Sequence, residues 1–379
     1  MSERAPSIAG VGTTRFAAEH SDDLLTLATR AATRALTDAD RSRTDVTSVH
    51  VGSMLGGASG DRPGFANAVC GALGLTGVAA DTIDNTSASG ASSVLRAVEA
   101  VRSGQSSTAL VIGAEVMSGS TATVTEAISR LTHDREYEQG ITLPSFGGLA
   151  AAAYLDRYEG DREALARVGV KNHHNAIANE IAQFRREITV ADVLDFPLIA
   201  SPLRLYDCCS TTDGAAAIVL TAADGPVAIR GTAGATGTHA VAERPDLLAI
   251  ESAGTAGERA FSRAGRAPAD VDVACIHDAF SILEWLELEE LGFYDPGTAW
   301  EATIAGKTER DGPLPVNPGG GLKARGHPLG ATGVAQLVEL YWQLTGTADG
   351  RQVASAETGL ALNVAGFGNN AVCTLLEAR

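Results

Sequence analysis

Residues 317–333 read NPGGGLKARGHPLGATG, a glycine-rich stretch followed by a His-Pro pair and then by Gly-Ala-Thr-Gly. Proline biases the residue before it to extended geometry, so the direction of His327 is fixed. This much glycine indicates close backbone packing around that point. Histidine is the natural general base at neutral pH. We therefore predict a functional histidine that immediately precedes a helix; the alternative is a loop histidine exposed to solvent.

The segments around this string alternate between strand and helix patterns. SIAGVGTTRF (7–16) and VDVACIHDAF (271–280) read as strands, whereas SDDLLTLATRAATRALTDA (21–39) and GATGVAQLVELYWQLTG (330–346) have apolar residues at helical spacing. This alternation predicts an α/β sheet covered by helical layers. Residues 119–205 break the pattern and read as an inserted, mainly helical lobe. The second half echoes the first, but glycine turns after strands are common, so this texture does not establish a duplication.

Composition narrows the classes of protein. The 379 residues are 45% hydrophobic and 20% charged, which excludes a wholly disordered chain, a collagen and a coiled coil. The net charge of -17, without an offsetting basic stretch, argues against a nucleic-acid partner. Three lysines among 29 basic residues, with 46 acidic ones, favour a surface adapted to high salt. The alternative is an ordinary acidic protein from a GC-rich genome, which leaves the excess of acid unexplained.

Compartment and metal content follow from the cysteines and from hydropathy. The five cysteines are odd in number and irregularly spaced, and the chain does not open with a secretion signal, so we expect reduced thiols and a cytoplasmic location. Adjacent Cys208 and Cys209 do not form the CxxC hook of a zinc site, so we expect no metal. Since no apolar run reaches about 18 residues, we expect no membrane span.

Two further segments carry candidate chemistry. In DNTSASGASS (84–93), Ser87 stands at a strand-to-helix transition, where free backbone N–H groups favour developing negative charge. The alternative is that Ser87 and Ser89 are N-caps of the helix. In CIHDAFSILEW (275–285), an apolar strand delivers His277 to its end, where α/β active sites usually lie. The alternative is a core histidine satisfied by the neighbouring Asp278.

Together the three segments resemble the thiolase superfamily, and more narrowly the sterol-carrier-protein-type thiolases and their archaeal relatives. The resemblance covers essentially the whole chain and includes KNHHNAIANEIAQF (171–184), LRLYDCCSTTDGAAA (203–217) and NVAGFGNNA (363–371). It implies an α/β thiolase fold with two βαβαβαββ halves in a five-layered αβαβα core. We therefore predict an N-terminal half over residues 1–225, with a loop domain at about 119–205, and a C-terminal half over 226–379.

The resemblance also implies site residues. Thiolases usually carry a nucleophilic cysteine where this chain has Ser87, and a second, acid/base cysteine where it has Asn363 or Ala279. Both cysteines are therefore replaced, and the predicted catalytic set is Ser87, His277 and His327. Asn363 is predicted to position the substrate or its oxyanion.

A serine hydroxyl is not pre-ionised as a thiol can be, so it needs a base during attack. We assign this to His327, and the removal of the α-carbon proton of the second acetyl-CoA to His277. Backbone N–H groups near Ser87 and Gly366 would hold the oxyanion, and His277 with His327 the incoming thioester oxygen.

The resulting prediction is a β-ketothiolase that joins acyl-CoA molecules, or cleaves the product, through an acyl-serine. Polyhydroxyalkanoate synthesis, isoprenoid synthesis and fatty-acid degradation all stay open. Two alternatives remain: a catalytically silent thiolase fold that acts as an acyl-CoA carrier or scaffold, and a ketoacyl-synthase-type condensing enzyme. No cofactor is expected beyond the coenzyme A thioesters that serve as substrates. The resemblance implies a dimeric core and, for archaeal members, a small OB-fold, zinc-ribbon partner.

Overall fold

Strands and helices alternate along the chain in the computed structural model, which describes residues 5–58, 63–119, 121–222 and 225–379. The strands are β1 Ser7–Thr13, β2 Ser48–Gly52, β3 Ala79–Ile83, β4 Thr108–Glu115, β5 Leu198–Ala200, β6 Leu203–Arg204, β7 Gly214–Thr221, β8 Val227–Thr236, β9 Val273–Cys275, β10 Thr358–Ala365 and β11 Asn370–Ala378.

The helices are α1 Leu24–Asp38, α2 Leu55–Ala58, α3 Phe65–Leu73, α4 Ser89–Arg102, α5 Thr121–Ser129, α6 Asp134–Glu138, α7 Leu143–Arg157, α8 Arg162–Ala176, α9 Val190–Asp195, α10 Glu251–Ala264, α11 Ser281–Glu290, α12 Ala299–Ile304 and α13 Leu329–Thr345. A single π-helical turn, Gly321–Arg325, precedes α13. Within the described ranges, no helix is long and apolar enough to cross a membrane.

Nine strands form one mixed sheet in the order β3-β2-β4-β7-β1-β8-β11-β10-β9. β2 runs parallel to β3 and β4, while β7 runs antiparallel to β4 and β1. Two parts of the sheet, β3-β2-β4-β7-β1 and β8-β11-β10-β9, are joined by a short antiparallel pairing of β1 with β8, at Ser7 with Ala228 and Ile8 with Val227. This narrow seam lets the two parts of the sheet turn toward each other around shared helices.

The strand order repeats on the two sides of the seam. The series β2-β4-β7-β1 in the first part corresponds to β9-β10-β11-β8 in the second. The outer strand β3 pairs in parallel with β2, and an isolated parallel bridge joins Val316 to Ala274 at the corresponding edge of β9. In the second half, the strand that corresponds to β3 is therefore reduced to a single bridge. The similarity between the two halves of the sequence is a similarity of strand order.

Helices α4 and α13 fill the space between the two parts of the sheet. α4 packs on β4 and β2 but also on β8 and β11, and α13 contacts β4 and β7 as well as β10 and β9. The two helices cross so closely that a Cβ on Gly90 would lie 2.5 Å from the carbonyl oxygen of Gly330. With α1 and α3 outside the first part and α10 outside the second, the layers follow the predicted α-β-α-β-α order.

Residues 121–204 contain helices α5 to α9 and the small β5-β6 hairpin, and form the mainly helical lobe. The lobe is anchored through an apolar core that it shares with the second half, since Tyr154 of α7 is buried and its ring centroid lies 5.2 Å from that of Trp285 in α11. α8 contributes two amides, Asn172 and Asn175, and a third, Asn179, follows three residues after the end of the helix. Asn172 donates to Asp278 at 2.7 Å, Asn175 to the Asn317 carbonyl at 3.2 Å, and Asn179 to the Gly319 carbonyl at 2.8 Å. α8 therefore holds the loops that lead to both candidate histidines.

Candidate active site

A pocket of about 160 Å³ brings together residues from four distant segments. Ser87, His277, His327 and Gly366 all line it. Its other walls are mainly apolar and come from the segment after β4, the helical lobe, residues 208–211, the segment before α11 and the start of α13. They are Met117, Ile128, Leu131, Leu143, Pro144, Cys208, Cys209, Ser210, Thr211, Ala279, Phe280 and Leu329. Asn363 is not among the lining residues and lies behind His277.

Ser87 occupies a tight turn between β3 and α4 and is buried. Thr86 adopts a left-handed conformation with φ 50°, and the hydroxyl of Ser89 fixes the turn by accepting from the Asn85 N–H at 2.9 Å and donating to the Thr86 carbonyl at 2.6 Å. The N-cap of α4 is Ala88, without a side-chain cap. The interpretation of Ser87 and Ser89 as N-caps is therefore wrong, and Ser87 stands two residues before the first residue of α4.

His327 is fixed at its backbone and at one ring nitrogen. Its N–H donates to the Thr212 hydroxyl at 2.9 Å, and its Nδ1 lies 2.7 Å from Oγ1 of Thr332. The Thr332 hydroxyl donates its single proton to the Pro328 carbonyl at 2.9 Å. With its proton in that direction, the hydroxyl accepts from the ring, which places the proton of neutral His327 on Nδ1 and leaves a free electron pair on Nε2.

His277 is held in the opposite tautomer. Its backbone N–H donates to Oε2 of Glu287 at 2.8 Å, and its Nδ1 lies 2.9 Å from the amide nitrogen of Asn363. Since an amide NH₂ only donates, Nδ1 accepts, and neutral His277 carries its proton on Nε2. Asp278 accepts from Asn172 and Asn317 instead. The alternative that pairs His277 with the neighbouring Asp278 is therefore wrong.

The two imidazoles meet edge to face, with ring centroids 5.0 Å apart at an interplanar angle of 82°. Burial lowers the pKa of His327 to about 3, with a smaller contribution from the nearby Arg325. Burial also holds the pKa of His277 well below its usual value, and the neighbouring His327 lowers it further. Both rings are therefore neutral at physiological pH, one presenting an acceptor and the other a donor.

Two acidic residues of α11 are buried near the site, and one of them contacts the His277 backbone. Burial raises the pKa of Glu287 well above its usual value, and Oε2 of this carboxyl accepts from the His277 backbone N–H at 2.8 Å. Glu284, one turn earlier on α11, forms an ion pair with Lys171 of α8, and both side chains are almost fully buried. Sequence reasoning missed these residues. The available signal was the run ILEWLELEE, in which acidic residues interrupt an otherwise apolar helix.

Sequence reasoning also missed the two thiols in the pocket wall. The backbone N–H of Cys209 donates to the Ala279 carbonyl at 2.8 Å, which places Cys209 beside a position where thiolases can carry their acid/base cysteine. Burial raises the pKa of Cys209 to about 12 and that of Cys208 to about 11, so both thiols are protonated. Across the described part of the chain, no group of three or more His, Cys, Asp or Glu side chains is arranged to hold a metal ion.

Comparison with known proteins identifies the family. The profile described as "Thiolase, N-terminal domain" matches residues 8–224, and that described as "Thiolase C-terminal domain-like" matches residues 233–378. An acetyl-CoA acetyltransferase of Methanothermobacter thermautotrophicus is 38% identical over 377 residues, covering 97% of this chain and 98% of that protein. Sterol carrier protein 2 of Gallus gallus is 32% identical over 401 residues, covering 98% of this chain and 72% of that protein.

Solved structures agree on the fold. The Ltp2-ChsH2(DUF35) aldolase superposes with a TM-score of 0.85 at 24% identity, covering 99% of this chain and 98% of that one. Human mitochondrial 3-ketoacyl-CoA thiolase superposes with a TM-score of 0.78 at 16% identity, covering 99% of each chain. The predicted thiolase fold is confirmed. The predicted boundaries at 225 and 226 and the assigned site residues stay predictions. The chain belongs to the thiolase superfamily.

Proposed function

We propose that this chain is a β-ketothiolase, an acetyl-CoA C-acyltransferase that works through an acyl-serine. It condenses acetyl-CoA with acetyl-CoA or propionyl-CoA to a β-ketoacyl-CoA, or runs the reverse thiolysis. The observation that carries the proposal is the buried pocket in which Ser87 is joined by an acceptor on His327 and a donor on His277. The relatives named acetyl-CoA acetyltransferase support the reaction class.

The first half-reaction transfers an acyl group to Ser87. As the hydroxyl oxygen attacks the thioester carbon, its proton moves to Nε2 of His327, which holds the free electron pair. Backbone N–H groups near Ser87 and Gly366 stabilise the tetrahedral oxyanion; loss of one such donor typically costs about 10²–10³-fold in kcat. The C–S bond then breaks, and the leaving thiolate takes the proton from His327 as coenzyme A.

The second half-reaction forms the carbon–carbon bond. The sequence-based prediction gives the α-proton of the incoming acetyl-CoA to His277, but the hydrogen bonds favour another division of roles. His277 donates from Nε2–H to the thioester oxygen, and Nε2 of His327 takes the α-proton. The enolate attacks the acyl-serine, the ester C–O bond breaks, and His327 returns the proton to the Ser87 oxygen. Two acyl-CoA molecules thus yield one β-ketoacyl-CoA and one coenzyme A.

Mass spectrometry of the enzyme after incubation with acetyl-CoA tests the intermediate. We expect one added acetyl group on the peptide that contains Ser87, and none in Ser87→Ala. Acetoacetyl-CoA thiolysis should be lost in the same variant and kept in Ser103→Ala, a matched change at the exposed end of α4. An acetyl group on Cys208 or Cys209, or equal activity of Ser87→Ala and wild type, would refute the proposal.

Other outcomes of that experiment separate the alternatives. A chain that binds acyl-CoA without acquiring an acetyl group or turning over would be a carrier or scaffold. Acylation of Ser87 from carrier-protein thioesters in preference to coenzyme A thioesters would indicate a ketoacyl-synthase-type enzyme. The fully assembled pocket, with both histidines buried and oriented, favours catalysis over a silent scaffold, because a scaffold has no use for matched tautomers.

A dimeric core and a small OB-fold, zinc-ribbon partner belong to the same proposal. The solved Ltp2-ChsH2(DUF35) aldolase is named as an assembly of two components and superposes over the whole chain, which supports testing for a partner. We expect the chain to be weakly active or insoluble when it is expressed alone. Co-expression with a small OB-fold, zinc-ribbon protein encoded beside it should restore activity. Full activity of the isolated chain would contradict the dependence, and light scattering would report the dimer.

A further inference from the structure

The turn that carries Gly366 is held by the side chain of Asn369. Oδ1 of Asn369 accepts from the Phe367 N–H at 3.1 Å, and Nδ2 lies 2.9 Å from the His239 carbonyl oxygen and 2.7 Å from Nδ1 of His239. A side chain on Gly366, which has φ 58°, would collide with that same Oδ1. The Asn369 amide therefore holds the backbone at Gly366 and Phe367 in one conformation.

The next residue ties this turn to the nucleophile turn. Oδ1 of Asn370 accepts from Nδ2 of Asn85 at 2.9 Å, across 285 positions of the chain. The other hydrogen of that amide serves the Ser92 hydroxyl at 2.8 Å, so both Asn85 N–H groups are used. Asn85 begins the turn that carries Ser87, and its carbonyl accepts from the Ala88 N–H at 3.0 Å.

The backbone of Asn370 is held in place, because Asn370 is the first residue of β11. It pairs with Ala365 of β10 on one side and with Thr236 of β8 on the other. The Ser87 turn, by contrast, is a connection between β3 and α4 in the other half of the molecule. The Asn85–Asn370 hydrogen bond is thus a direct side-chain link between the two segments that must act on one substrate oxygen.

We propose that Asn85, Asn369 and Asn370 are positioning residues that set the spacing between the Ser87 turn and the Gly366 turn, and hence the width of the oxyanion hole. This inference rests on the proposed function. An oxyanion hole works when its donors lie about 2.7–3.1 Å from the developing oxyanion. A misplacement of about 1 Å can cost about 10²-fold in rate. Asn369 fixes one donor-bearing turn internally, and Asn370 fixes that turn against the other.

The test removes the link and restores it. Asn370→Ala deletes the acceptor for Asn85, whereas Asn370→Asp keeps an oxygen at that position. We expect Asn370→Ala and Asn85→Ala each to lower the single-turnover rate of Ser87 acetylation about 10- to 100-fold, with less than about threefold change in KM. Asn370→Asp should recover most of that rate. The Asn85→Ala, Asn370→Ala double variant should be no slower than the worse single one, because both remove the same hydrogen bond.

Rates are normalised to the number of acetylated sites at completion, so that a partly unfolded sample does not count as a slow one. Asn67→Ala, an exposed asparagine on α3, is the matched control and should leave the rate unchanged. Wild-type acetylation rates in both alanine variants would overturn the inference, as would an Asn370→Asp rate equal to that of Asn370→Ala. If Asn370→Ala does not fold, Asn85→Ala alone decides. Absence of acetyl-Ser87 in the wild type would instead defeat the proposed function.

Discussion

Replacing Thr332 with valine tests the tautomer on which the proposed chemistry depends. Valine keeps the branched shape of threonine and removes only the hydroxyl. That hydroxyl accepts from Nδ1–H of His327 at 2.7 Å and donates to the Pro328 carbonyl at 2.9 Å, and Thr332 is fully buried. Without it, the ring proton on Nδ1 loses its acceptor, and the tautomer with the proton on Nε2 competes.

The expected size follows from the unmade hydrogen bond. A buried donor left without a partner costs about 1–3 kcal/mol. If that cost falls wholly on the tautomer that can accept the Ser87 proton, kcat/KM for acetoacetyl-CoA thiolysis drops by about 5- to 150-fold, since about 1.4 kcal/mol is tenfold in rate. Thr332→Ser keeps the hydroxyl and should lose far less. The ¹⁵N shifts of labelled histidine would report the tautomer independently of the rate.

Three results would refute this reasoning. A Thr332→Val enzyme within twofold of wild type would mean that the hydroxyl does not select the reactive form of His327. A Thr332→Ser enzyme as slow as Thr332→Val would mean that packing around the threonine methyl, and not the hydrogen bond, sets the rate. Unchanged ¹⁵N shifts together with a slow rate would likewise assign the loss to another cause.

Three further predictions concern stability. The pKa of His327 is about 3 in the folded protein and about 6.5 in the unfolded chain, so its contribution to the free energy of unfolding is complete above pH 6.5 and is lost on acidification. Between pH 7 and 5, chemical denaturation should therefore show that His327→Asn loses about 2 kcal/mol less unfolding free energy than wild type. Equal losses in the two proteins would contradict this. Gly90→Ala would place a Cβ 2.5 Å from the Gly330 carbonyl oxygen and should lower the free energy of unfolding by about 1–3 kcal/mol or more. Gly71→Ala, in α3 with open space around it, should instead raise that free energy by about 0.5–1 kcal/mol. Equal effects of the two changes would refute the close helix crossing. Since salt screens the repulsion of a net charge of -17, the melting temperature should rise between 0.1 and 2 M KCl, and a flat or falling curve would refute a surface adapted to high salt.

Local features of the fold were predictable because they depend on neighbouring residues. α1 begins after Asp23, whose carboxylate accepts from the Thr26 N–H at 2.8 Å, as the Ser-Asp-Asp start indicates. The β10-β11 hairpin and the helix after His327 were predictable for the same reason, because residues close in the chain determine them. The order of strands in the sheet and the narrow β1-β8 seam did not follow from the sequence, because pairing over long separations leaves no local pattern.

The alternative that pairs His277 with Asp278 was wrong because distant residues, and not the adjacent one, are the hydrogen-bond partners. Asp278 is adjacent to His277, yet it accepts from Asn172 of the helical lobe and Asn317, and His277 instead meets Asn363 of β10. The backbone turns tightly at Asp278, where the Ala279 N–H donates to the His277 carbonyl at 2.8 Å, so adjacency in the chain does not bring the two side chains together. The tautomers of both histidines are set by residues outside their own motifs or one turn further along, which periodicity does not reveal.

In the proposed mechanism, the Ser87 nucleophile requires a base that accepts a proton only during the attack. A cysteine can ionise before substrate binds, but the Ser87 hydroxyl must lose its proton during attack. Burial makes His327 a weak base before the reaction begins, with a pKa of about 3, and this opposes its role. The oxyanion that forms beside it reverses the balance, because a nearby negative charge stabilises the imidazolium and raises its pKa. The base therefore gains strength as the C–O bond forms, and the transfer of the proton is coupled to the attack. His277, held neutral with its proton on Nε2, does not compete for that proton and adds a donor to the same charge.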